Sequence, residues 1–567
     1  MKAKRPTSPQ SKQRNSSNSF LMQGSILAVA SIVSRVIGLV YRIPMQRVIG
    51  DVGMDYYSSA YEVYSILLVI SSYSLPTAVS KLISARMEQR ETKNAFRILR
   101  GAFIFALISG GAVALLVWFG AEWITKNILN TPLACYSLKV LAPCLLIAAF
   151  LGVIRGFFQG LGTMIPSALS QILEQIVNAV VSVVAAILLY GYGMRIGLVL
   201  GDPEKIGSAY GAVGGTVGTV TGAAVGLLFV FFIYLLYRRS LKRQMRRDRT
   251  VHTEQWNEVA GILLLTIVPV LLSSTIYNIS SLLDNGIFKA LAVYQGISAA
   301  DISTWWGKYA GKYKLIINVP IAIASALAAS SVPALAASFA RQDKVRINGQ
   351  INSALRFALV IALPCSVGVG VMAKPIMILL FNDSSDIAAQ MLLYGCAAIA
   401  FYSVSTLTNG ILQGINRLRV PVTNALLALV LHIVALFIMM HVFHLGIFSV
   451  IFANMFYAFM MCNFNQIGII RATGYRIDFI SVFLKPAAAS AIMGAAAYGF
   501  YLLVNKALGN TISTVLTILV ALVVYFFCLM LLRTLTEEEL NRLPGGRKLA
   551  VFAKKLHLLK ASKEEQE

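Results

Sequence analysis

The chain contains 567 residues, of which 57% are hydrophobic and only 13% are charged. Soluble domains carry about 25% charged residues, and a mean hydropathy of +0.73 indicates the same departure from them. Apolar runs recur along nearly the whole chain, and each is long enough to cross a hydrocarbon core of roughly 30 Å as a helix. Because these runs are too long and too continuous for the alternating strands of a barrel, composition predicts an all-α polytopic membrane protein and excludes a soluble one.

The net charge of +25 follows a pattern that is typical of membrane topology. In a soluble protein such a charge would suggest nucleic acid as a partner. Here most Lys and Arg residues lie in the N-terminal tail, in every second loop and in the C-terminal tail, as the positive-inside rule requires. We therefore expect no nucleic-acid partner, a multi-pass location in the cytoplasmic membrane, and both termini in the cytoplasm.

Hydropathy and charge together predict about fourteen membrane-spanning helices. The predicted spans, in chain order, are residues 22–44, 56–80, 101–124, 136–158, 166–190, 210–237, 258–284, 309–333, 355–380, 389–412, 420–441, 446–470, 480–503 and 512–533. Loops 81–100 and 238–249 are basic and lie on the predicted cytoplasmic side, whereas loops 381–388 and 441–446 on the opposite side contain no Lys or Arg.

The six cysteines are single residues in apolar segments, without a CxxC motif or a Cys/His cluster. They are Cys135, Cys144, Cys365, Cys396, Cys462 and Cys528. We interpret them as small packing residues and predict neither a metal site nor a cofactor.

Two short motifs each occur twice in the chain. Leu75–Val79 (LPTAV) has a counterpart in Val332–Leu335 (VPAL), and Gly156–Gly160 (GFFQG) has one in Gly410–Gly414 (GILQG). Both pairs are separated by about 255 residues and hold the same place in the span order. Because six spans is an even number, the two halves are expected to be parallel repeats about an axis along the membrane normal, with a central cavity between them.

The repeat predicts two six-helix lobes followed by two additional helices. The predicted divisions are a basic cytoplasmic tail (1–21), an N-lobe with helices 1–6 (22–237), a basic cytoplasmic linker (238–257), a C-lobe with helices 7–12 (258–470), helices 13 and 14 (480–533) and a cytoplasmic C-tail (534–567).

Ionisable residues within spans are costly and usually face a cavity or a partner. On helix 1, Arg35 and Arg42 share a face with Ser31 and Gly38. They could bind a diphosphate, whose oxygens suit the guanidinium fork. Alternatively, Arg42 could snorkel to the outer interface and Arg35 could pair with a carboxylate of helix 2.

Helix 2 offers Asp55 and Glu62 on one face, with Tyr61 beside them. The acids could neutralise the arginines in the empty state, and tyrosines suit stacking on sugar rings but are also common at membrane interfaces. Helix 5 has a polar stripe of Gln171, Glu174 and Asn178. This stripe could join helices or line the cavity, and we favour the cavity.

The second half has its own polar residues, with Asn278 and Asp284 on helix 7 and Lys312, Lys314 and Asn318 on helix 8. We interpret Lys314 as the best candidate for a second-half cation facing the cavity. Arg35, Arg42, Asp55, Glu62, Glu174 and Lys314 are thus the predicted substrate-binding residues. The predicted cavity-lining residues are Tyr61, Gln171, Asn178, Asn278, Asp284, Lys312 and Asn318.

The segments Ser34–Gly38 (SRVIG), Arg47–Gly50 (RVIG) and Leu75–Lys81 (LPTAVSK) carry a resemblance to a known family. The chain resembles the polysaccharide-biosynthesis branch of the multidrug/oligosaccharidyl-lipid/polysaccharide (MOP) exporters. Within that branch it is similar to the stage V sporulation protein B group and to MurJ-type lipid II flippases. The similarity covers nearly the whole chain, including the glycine-flanked turns.

This resemblance implies alternating access by two lobes around a cationic cavity, with a diphospho-undecaprenyl saccharide as substrate. It implies that Arg35 and Arg42 match essential first-helix arginines, that Asp55 matches an acid early in helix 2, and that Lys314 matches a cation of helix 8. Helices 13 and 14 would form a groove for the lipid tail. The arginine pair that MurJ-type proteins carry late in helix 2 is replaced here by residues 71–74 (SSYS), which leaves other lipid-linked glycans open.

The sequence therefore predicts a flippase for lipid II or another undecaprenyl-diphosphate glycan, serving the cell wall, the spore cortex or polysaccharide synthesis. Membrane lipids are expected partners, and a coupling cation is left open. The main alternative is a cation-coupled multidrug exporter of the MATE branch, which predicts a smaller, more acidic and aromatic pocket and about twelve spans. A glycosyltransferase would need paired carboxylates in a sizeable outer loop, and the largest such loop, 194–209, holds only Asp202 and Glu204. We therefore predict that the protein is not an enzyme. A purely structural envelope protein would leave the buried charges unexplained.

Overall fold

The computed structural model describes residues 26–534, with the exception of residues 28, 249, 251–252, 476 and 533. Within helices, the side chains of residue 73 and of several residues in 268–277 and 326–340 also lie outside this description. The predicted N-terminal tail and all of the predicted C-terminal tail except Thr534 fall outside it as well. The described residues are almost entirely helical and contain no strand.

The first helices in chain order are α1 (Val29–Val40), α2 (Arg42–Leu68), α3 (Leu75–Glu88), α4 (Thr92–Trp123), α5 (Ala134–Gly160), α6 (Ile165–Leu200), α7 (Pro203–Arg247), α8 (Trp256–Tyr294) and α9 (Ala299–Lys308). They are followed by α10 (Lys314–Ala340), α11 (Lys344–Val371), α12 (Ala373–Phe381), α13 (Asp386–Gly395), α14 (Ala398–Gly414), α15 (Arg419–His441), α16 (Ile447–Thr473) and α17 (Lys485–Leu531). Short π-helical turns occur at Val69–Tyr73, Ile124–Ile128, Tyr309–Tyr313 and Ile480–Leu484.

The helices confirm the predicted multi-pass, all-α membrane architecture. Among the described residues, nine helical stretches are long and apolar enough to cross a membrane, or ten if α13 and α14, bent by 41°, form one span. The predicted count of fourteen is not confirmed by this number. One reason is that two predicted spans, 480–503 and 512–533, fall in a single helical stretch, Ile480–Leu531, whose 52 residues are counted once, whereas one crossing needs about 20. This stretch breaks at Gly509, where φ is +71°, between the last two predicted spans.

The chain divides into two compact units between Gly311 and Lys312. The first unit therefore includes α8 and α9, both of which pack on α2, although the repeat assigns residues from 258 onward to the second lobe. The lobe boundaries inferred from the repeated motifs stay a prediction. The division at Gly311 describes which helices pack together.

Close helix packing in the first unit accounts for the first copies of the two repeated motifs. The glycines of the GFFQG motif on α5 face the LPTAV motif on α3. A Cβ added at Gly156 would lie 2.7 Å from the carbonyl oxygen of Pro76, and one at Gly160 would lie 2.9 Å from the carbonyl oxygen of Ser80. Small residues allow such contact between membrane helices. The motifs are therefore two sides of one helix contact.

The predicted linker is partly helical, since α7 continues to Arg247. After α7, the Asp248 carboxylate accepts a hydrogen bond of 2.7 Å from the backbone N–H of Lys93. The Glu254 carboxylate forms an ion pair with Arg86, and its backbone N–H donates to Asn94. Two acids thus attach this segment to α3 and to the start of α4.

Candidate substrate-binding site

Arg42 stands at the first residue of α2, next to a group of tyrosines. Its guanidinium carbon lies 5.3 Å from the ring centroid of Tyr61 and 5.9 Å from that of Tyr57, which are cation–π distances. Its Nε is buried without a hydrogen-bond partner. Across the described part of the chain, no carboxylate forms an ion pair with Arg42. The first unit therefore holds this cation against aromatic faces and leaves its charge without a counter-ion.

The tyrosines form a continuous wall along α2. Tyr57 and Tyr61 stack at 5.8 Å, and Tyr61 contacts Tyr64 at 5.6 Å. The Tyr57 hydroxyl lies 3.3 Å from that of Tyr41, and the Tyr64 hydroxyl lies 3.3 Å from the sulfur of Cys144. The aromatic wall expected around Tyr61 therefore borders Arg42.

Asp55 has a partner that the sequence analysis did not identify. Its carboxylate accepts a hydrogen bond of 2.5 Å from the Nζ of Lys289 on α8, and both side chains are fully buried. Lys289 was missed because it lies beyond the predicted end of helix 7 at residue 284, in a predicted loop, whereas α8 continues to Tyr294 in the structure. Asp55 thus neutralises Lys289, and not an arginine of helix 1.

A shell of hydroxyl and amide groups completes this buried pair. Lys289 also donates to Ser59 at 2.9 Å and to Thr131 at 2.6 Å. Ser303 donates to the second carboxylate oxygen of Asp55 at 2.7 Å. The three ammonium protons of Lys289 and both carboxylate oxygens of Asp55 are thereby satisfied.

The same cluster continues to Glu62 through Asn285. The Asn285 amide nitrogen donates to Ser59 at 3.0 Å and to the Glu62 carboxylate at 2.7 Å. Asp284, the neighbour of Asn285, is also buried. Glu62 therefore lies on the α2–α8 interface of the first unit, where its carboxylate is joined to α8.

The polar stripe of α6 makes contacts with three other helices. Glu174 forms an ion pair of 2.7 Å with Arg155 of α5. Gln171 accepts a hydrogen bond of 3.1 Å from Ser31 of α1. Asn178 accepts one of 2.9 Å from Ser182, whose hydroxyl also lies 2.8 Å from the carbonyl oxygen of Gly215 on α7. The stripe thus joins helices in this structure.

Arg155 is a second partner that the sequence analysis missed. It immediately precedes the GFFQG motif, and its Nε donates to Ser170 at 2.8 Å. Its side chain is 13% exposed and that of Glu174 is 23% exposed. Arg35 lies on α1 and is exposed, and no ion pair forms at it within the described residues. The two helix-1 arginines thus have different surroundings.

In the second unit, Lys312 forms an ion pair of 2.6 Å with Asp383, in the loop between α12 and α13. Burial alone would raise the pKa of Asp383, but hydrogen bonds from Lys312 and Ser385 lower it to about 2. Lys314 is half-buried and Asn318 is exposed. In the first unit, Asn278 of α8 is exposed. The predicted substrate-binding and cavity-lining residues therefore lie in both units. That they line one cavity stays a prediction.

Comparison with known proteins identifies the family. Residues 20–339, more than half of the chain, match the model of the family described as polysaccharide biosynthesis protein. The lipid II flippase MurJ of Bacillus subtilis (strain 168) is 24% identical over 431 residues, covering 74% of this chain and 77% of the relative. Stage V sporulation protein B of the same organism is 23% identical over 545 residues, covering 93% and 98%.

Solved structures show the same fold. The lipid II flippase MurJ in its inward closed conformation aligns with a TM-score of 0.65 at 16% identity, covering 88% of this chain and 97% of that one. A multidrug resistance MATE family transporter of the MOP superfamily, in an inward-facing conformation, aligns with a TM-score of 0.61 at 17% identity, covering 79% and 99%. Fold, sequence and family model agree: this multi-pass membrane protein belongs to the polysaccharide biosynthesis protein family.

Proposed function

We propose that the protein is a flippase that moves a lipid-linked oligosaccharide across the cytoplasmic membrane by alternating access. Lipid II or another undecaprenyl-diphosphate glycan is the proposed cargo. The name of one relative, the lipid II flippase MurJ, supports this class of cargo. The observation that carries the proposal is the Arg42 guanidinium, which lies against tyrosine rings and has no counter-ion among the residues that the structure describes.

An uncompensated cation in a half-buried site destabilises the empty protein, because desolvation is not offset by a nearby anion. A ligand that brings negative charge would remove this cost on binding. Phosphate oxygens are suited to Arg because the planar guanidinium donates two parallel hydrogen bonds. We propose that the diphosphate of the carrier lipid binds at Arg42, with Arg35 as a second, more exposed contact.

The tyrosine wall suits the remainder of such a headgroup. Tyr57 and Tyr61 present a stacked aromatic surface beside the guanidinium, and tyrosine combines an apolar ring with a hydroxyl that forms hydrogen bonds. A sugar ring next to a diphosphate presents apolar faces and hydroxyl groups of the same kind. We propose that the sugar packs against Tyr61, while Lys314 serves as the corresponding cation in the second unit.

The buried cluster around Asp55 and Lys289 is proposed to act as a latch. It joins α2, which belongs to the first predicted repeat, to α8, which belongs to the second, at the helix ends that the positive-inside rule places outside. Alternating access requires movement of the two repeats against each other. Release of cargo to the outer face would therefore require the ion pair of 2.5 Å to open.

This proposal assigns the protein transport and no catalytic step. It places both termini in the cytoplasm. A coupling cation, if one is used, would bind at acidic residues such as Glu62 and Glu174, whose carboxylates pair with protein groups in this structure. Cargo binding and energy coupling would then use different residues of the first unit.

The test is transport in proteoliposomes with a fluorescent undecaprenyl-diphosphate glycan. We expect Arg42→Ala to abolish movement between the leaflets, because the diphosphate loses its main contact. Arg195→Ala is a matched control, since Arg195 is an exposed arginine at the far end of α6. It should transport at the rate of the unmodified protein. Full transport by Arg42→Ala would remove Arg42 from the binding site.

A second candidate function, cation-coupled multidrug export, is supported by the similarity to the MATE structure. Arg42 argues against it, because a guanidinium repels cationic drugs. Depletion of the protein in cells separates the two functions. A flippase predicts labelled lipid-linked precursor accumulating on the cytoplasmic leaflet, with dye efflux unchanged. Loss of dye efflux without precursor accumulation would favour the exporter.

A further inference from the structure

A cavity of about 390 Å³ lies in the second unit, between the start of α15 and the last turns of α16. Its size is within the range of small-ligand sites, about 300–1,000 Å³. The lining residues are Arg417, Val420, Asn424, Phe464, Ile467, Gly468, Arg471 and Ala472. None of them is among the residues predicted or proposed to bind the transported substrate.

Two arginines stand at the mouth of this cavity. Arg417 precedes α15, and Arg471 lies in the last turn of α16. Both are exposed, and neither forms an ion pair within the residues that the structure describes. The acid nearest to Arg471 in sequence, Asp478, accepts a hydrogen bond of 3.2 Å from the backbone N–H of Ser481. The mouth is therefore cationic and suited to an anion.

The inner side of the cavity is fixed by a buried amide network. The Asn424 amide nitrogen donates to Asn465 at 2.9 Å. Asn465, which is fully buried, donates to Asn409 at 2.7 Å and to Thr408 at 3.2 Å. These bonds join α14, α15 and α16 behind the cavity. The two arginines are thus carried on helices whose relative positions are set before any ligand binds.

Apolar side chains form part of the cavity wall. Val420, Phe464 and Ala472 line it, and Ile467, also in the lining, is 46% exposed. A Cβ at Gly468 would lie 2.8 Å from Val420, so the glycine allows α15 and α16 to meet closely at its base. A cationic mouth above apolar walls matches an amphiphile with a negative headgroup.

We propose that this cavity binds the headgroup of an anionic phospholipid. The phosphate would pair with Arg417 and Arg471, and the glycerol and upper acyl chain would lie against Val420 and Ile467. Basic pockets between membrane helices on the cytoplasmic side bind anionic headgroups in this manner, and the positive-inside rule places these helix ends on that side. The bound lipid would neutralise two neighbouring arginines and hold α15 to α16.

The experiment measures lipid binding by the full-length protein in detergent, using native mass spectrometry and thermal unfolding. Phosphatidylglycerol is compared with phosphatidylcholine and with inorganic phosphate. We expect phosphatidylglycerol to bind more tightly than phosphatidylcholine and to raise the unfolding temperature. The double variant Arg417→Gln/Arg471→Gln should bind phosphatidylglycerol at least about tenfold more weakly, since charge-assisted hydrogen bonds are lost.

The matched control is Arg419→Gln, which removes an exposed arginine two residues from Arg417 but outside the cavity lining. It should retain the binding and thermal shift of the unmodified protein. Equal binding of both lipids, or equal loss in the control and the double variant, would overturn the proposal. A full thermal shift with inorganic phosphate and none with phosphatidylglycerol would also overturn it, because the site would then serve a soluble anion.

Discussion

Arg42 and Lys289 are two cations of the same unit with opposite surroundings. Lys289 is fully buried and donates to a carboxylate and two hydroxyl groups. Arg42 is half-buried, contacts aromatic rings and has a buried Nε without a partner. Arg42 begins α2, and Lys289 lies on α8, which packs on α2. The difference between them is whether the protein itself supplies the anion.

A cation paired with an anion of the protein stabilises the fold, whereas a cation without such a partner is available to bind an anionic ligand. A buried ion pair with all hydrogen bonds made costs much to break, because the remaining partner stays buried without compensation. A cation that already lacks its counter-ion has little to lose when it is replaced. Stability and transport should therefore respond in opposite order to mutations at the two positions.

The largest expected loss of stability is that of Lys289→Met. It leaves Asp55 as a buried carboxylate without a counter-ion, and the free energy of unfolding should fall by about 3–5 kcal/mol. Thermal unfolding in detergent measures the change. The double variant Asp55→Asn/Lys289→Met is the control, and it should recover much of the loss because no isolated charge remains. A double variant as unstable as the single one would show that shape, and not charge, sets the cost.

A smaller loss is expected from Arg155→Met. The Arg155–Glu174 pair is partly exposed, so the residual Glu174 carboxylate can be hydrated, and the free energy of unfolding should fall by about 1–3 kcal/mol. The same thermal measurement applies. Adding Glu174→Gln to Arg155→Met should restore part of the loss. If Arg155→Met lowered the free energy of unfolding as much as Lys289→Met does, partial exposure of an ion pair would not reduce the cost of breaking it, and the expected effect of burial would be contradicted.

A pH-dependent contribution of about 1–2 kcal/mol is expected from Asp383. Its pKa falls from 3.8 to about 2 in the folded protein. The stabilisation is therefore complete above pH 4 and is lost as the pH falls towards 2. Unfolding temperatures of the unmodified protein and of Asp383→Asn should differ at neutral pH and converge in acid. A constant difference across the range would contradict the role of the Lys312 ion pair.

The smallest change in stability is expected from Arg42→Met, together with complete loss of transport. Because no carboxylate among the described residues pairs with Arg42, the free energy of unfolding should change by less than about 1 kcal/mol or increase. Thermal unfolding and the proteoliposome assay, run on one preparation, check both parts. A loss of several kcal/mol would show that Arg42 stabilises the fold, and the contrast with Lys289 would disappear.

Much of the fold could be predicted from local sequence, whereas the number of crossings could not be fixed. Long apolar runs predicted helices, and the described residues are helical almost throughout. The limits of single crossings depend on bends such as that at Gly509 and on short breaks between helices. Such bends depend on packing between helices, and hydropathy averaged over a window of neighbouring residues does not report it. The GFFQG and LPTAV motifs were visible in the sequence, but their mutual contact was not.

The sequence predicted the candidate site as residues on single helices, and that site stays a prediction. Arg42, Asp55 and Tyr61 were predicted on the first two helices, and the structure places Tyr61 beside Arg42. Pairing of the acids with the arginines was left open, whereas Asp55 bonds to Lys289 and Glu62 bonds to Asn285, both on α8. Lys289 and Arg155 were not among the predicted residues. A periodic pattern indicates which residues of one helix share a face, but not which helix comes to lie against that face.

The sequence by itself determined that this is a helical membrane protein with costly charges on defined helix faces, because hydropathy and periodicity are properties of neighbouring residues. Only the tertiary structure decided which charges are compensated. Lys289 and Asp55 are 234 residues apart in sequence, and their contact depends on how α8 packs on α2. That packing gives Lys289 an anion and leaves Arg42 without one, and it is this difference that marks Arg42 as the proposed site for a negatively charged cargo.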